Sequence, residues 1–180
     1  MSSRVKAIAS IWTLSLLAGC VQSRYEPIVY TDSKPAKRWA FTPFEVKYMP
    51  SQSPALNFER TLEASAWQCG READMGYALY SHFRRYGSNK RPDDRAQALE
   101  DCQRYARKRG NEAVTRLRQA NMSAKVSELS KDLYAKWSVY LSGMTIIAPK
   151  DQLAANQYEA SRQALIAEEK FAQPPHLGER

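Results

Sequence analysis

The sequence predicts an all-α protein: a three- or four-helix bundle carrying an extended N-terminal arm rich in proline and aromatic residues. Three observations carry this expectation. Glycine is scarce, with 7 in 180 residues, while alanine, glutamate, glutamine, leucine and arginine, all good helix formers, are plentiful. Pro27, Pro35, Pro43 and Pro50 recur through the first part of the chain and exclude a long helix there. From Pro54 onward, apolar residues recur at steps of three and four, the spacing of one helix face.

Each element follows from local pattern. Between the prolines of residues 21–53, Trp39, Phe41, Phe44, Val46 and Tyr48 alternate with smaller or polar residues, which suits short extended pieces. Free linkers seldom carry so many aromatics, so part of this arm is expected to pack, on its own helices in preference to a partner. The first helix presents Phe58, Leu62, Ala66, Cys69, Ala73, Gly76, Tyr80 and Phe83 as one stripe, broken by Tyr86-Gly87-Ser88-Asn89. Pro92, Asp93 and Asp94 mark a new start, with acids in the first turn. The second stripe runs through Ala96, Leu99, Cys102, Ala106, Gly110, Ala113, Leu117 and Ala120. The short break predicts an antiparallel pair, and Gly76 and Gly110 on the stripes are expected to let helices approach closely. A third helix is expected from Ser123, its N-cap, with Val126, Leu129, Leu133, Trp137, Tyr140 and Met144 inward and Gly143 at its end. Thr145 to Ala148 form an apolar connector closed by Pro149. Asp151 then caps a last helix to about Phe171, with Ala154, Tyr158, Ser161, Leu165 and Ala172 on its apolar face.

The extreme N-terminus carries a different signal. Arg4 and Lys6 form a basic start, Ala7 to Leu17 an apolar segment, and Leu17-Ala18-Gly19-Cys20 closes it with two small residues before a cysteine. The apolar run is shorter than a spanning helix requires and is interrupted by Ser10, Thr13 and Ser15. Leu17-Ala18-Gly19-Cys20 resembles the lipobox of bacterial lipoproteins. The resemblance implies cleavage before Cys20, a diacylglycerol thioether on its sulfur, and an acylated amine that holds the chain on a lipid bilayer. It divides the chain into a signal peptide (1–19), a lipidated tether (20–53), a helical domain (54–172) and a flexible tail (173–180). Val21, where an aspartate would favour the inner membrane, leans toward an outer-membrane lipoprotein facing the periplasm.

With Cys20 lipidated, Cys69 and Cys102 remain, and export would place them in an oxidising compartment, where one disulfide is the economical reading. Two buried free thiols are the alternative. Both cysteines lie on apolar stripes, yet Cys69 sits about seventeen residues before the break and Cys102 about ten after Pro92. The distances along the two helices therefore differ by roughly 10 Å. A bridge requires that the first helix end near Tyr80 or that the loop fold back along it.

Charge suggests where partners bind. Removing residues 1–19, which hold Arg4, Lys6 and no acid, lowers the formal charge from +8 to +6. From Arg84 to Arg118, 11 basic residues face 5 acids, a net of +6. Arg84, Arg85, Lys90 and Arg91 around the turn, with Arg104, Arg107 and Lys108 on the second helix, form the candidate partner-binding surface. An envelope protein is the expected partner, and anionic lipid is the other target that charge allows. No nucleic acid is expected, because no reading module is present.

Catalysis lacks a constellation. Ser81 and His82 are neighbours and diverge on a helix, Glu72 and Asp74 point apart by about 200°, and His82 and His176 complete no metal spacing with the cysteines. No catalytic residue, metal or cofactor is therefore expected. The reading is a non-catalytic accessory lipoprotein that assembles or stabilises a secretion or conjugation apparatus. In outline alone it resembles the small helical pilotin lipoproteins that escort secretins, and no residue inherits a role from that likeness. The alternatives are a surface-exclusion lipoprotein that blocks phage or a conjugative donor and, third, a periplasmic enzyme.

Overall fold

The computed structural model describes residues 39–88 and 92–172, except for the side chain of Ala172. Cys20, the signal segment, the tether as far as residue 38, Lys90, Arg91 and the tail 173–180 lie outside the described residues. Four helices are present: α1 (Pro54–Arg85), α2 (Asp93–Arg118), α3 (Ala124–Gly143) and α4 (Gln152–Ala172), and no strand occurs among the described residues.

Their ends are set by local chemistry. The Ser53 hydroxyl accepts from the Leu56 N–H at 3.1 Å, and Pro54, which has no N–H to satisfy, follows it. At the other end of α1, Gly87 takes a positive φ of 73°. The Ser88 N–H then donates to Phe83 O at 2.9 Å and the Gly87 N–H to Arg84 O at 3.2 Å, the paired bonds of a Schellman stop. Asp93 and Asp94 occupy the first turn of α2. Ser123 caps α3 through the Val126 N–H, and Asp151 caps α4 through the Leu153 and Ala154 N–H groups. Gln103 of α2 donates to Met144 O and to Leu141 O, which also accepts from the Met144 N–H, tying α2 to the end of α3.

The helix α1 is the spine. Its N-terminal two thirds bury Phe58, Leu62, Ala66, Cys69 and Ala73 together with Asn57, Glu59, Thr61, Ser65 and Gln68, which spread around the helix rather than along one stripe. Packing of α2, α3 and α4 covers its apolar sides. Trp137 of α3, fully buried, enters where the three helices nearest it converge: its Nε1–H donates to Leu62 O at 3.0 Å. A Cβ on Gly110 of α2 would stand 2.8 Å from the Trp137 ring. Likewise a Cβ on Gly76 would stand 2.3 Å from Ile146, so the α3–α4 connector packs directly on bare α1 backbone. Both glycines are packing residues, as their stripe positions predict. On α3, Ser130 and Leu141 take core positions, and Leu129 and Tyr140 are half-buried at its flanks.

Cys69 and Cys102 are joined, with Cα atoms 5.5 Å apart. The same antiparallel register brings Gly76 beside Arg95 and Leu62 beside Gly110. The mismatch in helix lengths is resolved by overhang, because α1 does not end near Tyr80. It continues to Arg85, so its last turns run about 10 Å past the level at which α2 begins. Tyr80 and Phe83 consequently leave the core stripe and are only half-buried.

The two glycine environments make opposite predictions. Gly110→Ala is expected to lower unfolding free energy by about 1–3 kcal/mol, because the new methyl forces Trp137 aside. Gly70→Ala, in the interior of α1 with nothing nearer than 3.5 Å to the added carbon, is expected to raise it by about 0.5–1 kcal/mol. Urea denaturation of both variants checks the pair.

Candidate functional site

The basic residues form two groups. Arg84 and Arg85 are exposed on the projecting end of α1, and Arg104, Arg107 and Lys108 are exposed midway along α2. In the register fixed by the disulfide, the two groups lie about 30 Å apart along the bundle. Lys90 and Arg91 lie outside the described residues. Arg104 pairs with Asp101 at 2.9 Å, and the Arg107 Nη2 donates to the Ser142 hydroxyl at 3.3 Å, turning that side chain toward α3. The Arg104 pair is solvent-exposed on both sides, and such pairs contribute at most about 1 kcal/mol. The arginine is therefore readily released to another anion.

The end of α1 has a distinct character. Arg84 lies over the Tyr80 ring at 5.9 Å, and the His82 and Tyr86 rings meet at 4.7 Å. Tyr86 and Leu79 are exposed beside them. Positive side chains here complement the partial negative charge of the helix C-terminus. Tyrosine and arginine together are the residue types that dominate protein–protein binding energy. Trp39, where the described arm begins, lines one 370 Å³ cleft with Leu79 and Phe83, so the described arm starts at this same end.

The remaining candidate residues have structural partners. Glu72 accepts from the Trp39 Nε1–H at 3.1 Å and pairs with Arg95 at 3.4 Å, while the Arg95 guanidinium stacks 3.5 Å from the Trp39 ring centroid. Asp74 pairs with Lys150 at 2.7 Å. Glu72 and Asp74 thus serve different contacts, as their divergence on a helix implies. Among the described residues no cluster of three or more His, Cys, Asp or Glu side chains is placed to hold a metal. No helix among them is long and apolar enough to cross a membrane.

Two arrangements go beyond the sequence reading in their detail. First, residues 39–53, the part of the tether segment whose aromatics suggest packing on the helices, lie along the groove between α1 and α2. Gln68 exchanges two hydrogen bonds with the backbone of Phe44, at 3.0 Å and 2.9 Å. Asn57 does the same with Met49, at 2.7 Å and 2.8 Å, and also donates to Gln52 O and Ser53 O. The spacing is commensurate: five extended residues and eleven helical residues both span about 16 Å. Phe41 packs on Tyr105 at 5.9 Å between ring centres.

Second, Arg162 of α4 is bound by three carboxylates. It reaches Glu59 at 2.8 Å, Glu63 at 3.0 Å and Glu159 through two bonds at 2.9 Å, fastening α4 to α1. Burial pushes Glu59 above the ordinary glutamate range against the opposing pull of Arg162. The Arg162 hydrogen bond holds Glu159 below that range. On the other side of α4, the hydrogen bond from the Ser161 hydroxyl, with help from Lys136, holds Asp132 below the ordinary aspartate range. The side-chain spacing of Glu159 and Arg162 is visible in sequence, but their meeting with Glu59 is not, because α1 and α4 are a hundred residues apart.

These features define a disulfide-closed four-helix bundle with a clamped arm and a projecting cationic, aromatic helix end. No protein-family model, curated protein or solved structure matches the chain.

The carboxylates give opposite pH signatures. Between the unfolded and the raised folded value of Glu59, the native state binds more protons, so its contribution to stability declines as pH rises. Glu159 and Asp132 contribute stability above the ordinary carboxylate range and lose it as pH falls through their lowered folded values. Glu59→Gln is therefore expected to gain stability relative to the native chain as pH rises from about 4 to about 7. Urea midpoints across that range check this, and a constant difference would contradict it.

Proposed function

We propose that the protein is a membrane-anchored, non-catalytic envelope lipoprotein that assembles or stabilises a secretion or conjugation apparatus by binding one of its proteins. The lipobox-like Leu17-Ala18-Gly19-Cys20 supports the anchor and the compartment. A disulfide between Cys69 and Cys102 accords with an oxidising compartment. The observation that carries the binding role is the overhang of α1. A bundle selected for stability alone gains nothing from extending a helix past its neighbour with Leu79, Arg84, Arg85 and Tyr86 exposed.

The position of the arm fits this reading. Between Cys20 and Trp39 lie eighteen residues, which reach at most about 65 Å. The described arm begins at Trp39, at the end where α1 projects. A protein partner is favoured over bare lipid because the surface mixes arginine with exposed aromatic area. Lipid phosphates would require only charge.

Crosslinking and pull-down of the lipidated protein from intact cells tests the reading. Secretion or conjugation components are expected to be recovered, lost with Cys20→Ser, and reduced at least severalfold by Arg84→Glu with Arg85→Glu. Arg104→Glu with Arg107→Glu is expected to have the smaller effect. Recovery of only lipid and abundant porins would contradict the proposal, as would protease shaving of the body from whole cells, which favours surface exclusion.

A further inference from the structure

A second region, at the opposite end of the bundle, has the make-up of a ligand site. A cleft of about 790 Å³ opens between the last turns of α2 and the first turns of α3, within the range of small-molecule pockets. Its floor is apolar, formed by Phe58, Val114, Leu117, Met122 and the ring of Tyr134. Across one side, the Tyr134 hydroxyl donates to Asn111 Oδ1 and ties α3 to α2.

Three features specify the ligand's polar end. Arg118 of α2 and Lys131 of α3 line the same cleft from opposite helices, both exposed, and neither forms an ion pair with a described residue. No carboxylate lines the cleft. Ser130, 2% exposed and beside Lys131 in sequence, also lines it, and its buried hydroxyl has no hydrogen-bond partner. Such orphaned buried groups are rare in folded proteins and point to a missing partner.

We propose that this cleft binds a single-chain amphiphile with an anionic head, its carboxylate or phosphate held between Arg118 and Lys131 and accepting from the Ser130 hydroxyl. Guanidinium and ammonium groups recognise both heads. The alkyl chain lies over the floor between α2 and α3. Packed helices stand about 8–10 Å apart, so the strip between them admits one chain rather than two. A free fatty acid and a monoacyl phospholipid share this chemistry. The site is independent of the α1 end and of the partner proposed for it.

Calorimetric titration of the full chain tests this, with Cys20→Ser so that no detergent is needed. The probes are dodecanoate, dodecyl lysophosphatidylglycerol and dodecyltrimethylammonium, each kept below its micellar concentration. Both anions are expected to bind saturably at one site per chain, and the cation at least tenfold more weakly. The tighter of the two anions identifies the preferred head. Arg118→Glu with Lys131→Glu, both surface positions, is expected to weaken the anions at least tenfold with an unchanged melting temperature. Ser130→Ala is expected to weaken them at least threefold. Absence of saturable binding by either anion would overturn the proposal. So would equal binding of the cationic amphiphile, or of the anions to the charge-reversed chain.

Discussion

The fold depends on covering the buried sides of α1, which short of its projecting end leaves only the face of Glu63, Trp67, Arg71 and Asp74 to solvent. The helix is 32 residues long, and only some of its buried positions are apolar. The apolar sides are met by helices, most closely where Trp137 lies against Gly110 and bonds to the carbonyl of Leu62. That contact ties α3 to α1 and α2 together, and the Cys69–Cys102 bond fixes the register in which it forms. The polar sides need partners with hydrogen-bonding groups, since a buried amide or carboxylate left unpaired is strongly unfavourable. The extended arm meets Asn57 and Gln68 with its own backbone, and Arg162 meets Glu59.

This division of labour links the fold to the proposed role. Because residues 39–53 are fastened along α1, they belong to the body of the bundle rather than hanging from it. At the start of the described arm, the Trp39 ring is held between Glu72 and Arg95. Beyond α2's first turn, α1 continues without its neighbour and exposes arginine and tyrosine. The cationic cleft at Arg118 and Lys131 sits at the far end, so the two surfaces can act without competing.

Much of this was legible in the sequence. Caps at Ser123 and Asp151, the break at Gly87, the inward cysteines and the packing glycines all follow from local pattern, because helix ends and stripes are short-range properties. What the sequence concealed is long-range. Asn57 and Gln68 read as polar interruptions beside an apolar stripe, and only the matching rise of strand and helix shows them to be clamps. The basic run from Arg84 to Arg118 reads as one surface, yet the antiparallel register sets Arg84 and Arg85 about 30 Å from Arg104, Arg107 and Lys108. Tyr80 and Phe83 read as core for the same reason: a stripe does not reveal where its neighbouring helix begins.

Native-state hydrogen exchange at the amides of Phe44 and Met49 tests most directly whether the arm is part of the spine's covering. Both N–H groups donate to buried side chains of α1. The account predicts protection approaching that of the core amides of α1, with Gln68→Ala lowering it at Phe44 and Asn57→Ala at Met49. Exchange at the rate of an unstructured peptide in the native chain would contradict it, and would return residues 39–53 to the role of a free tether.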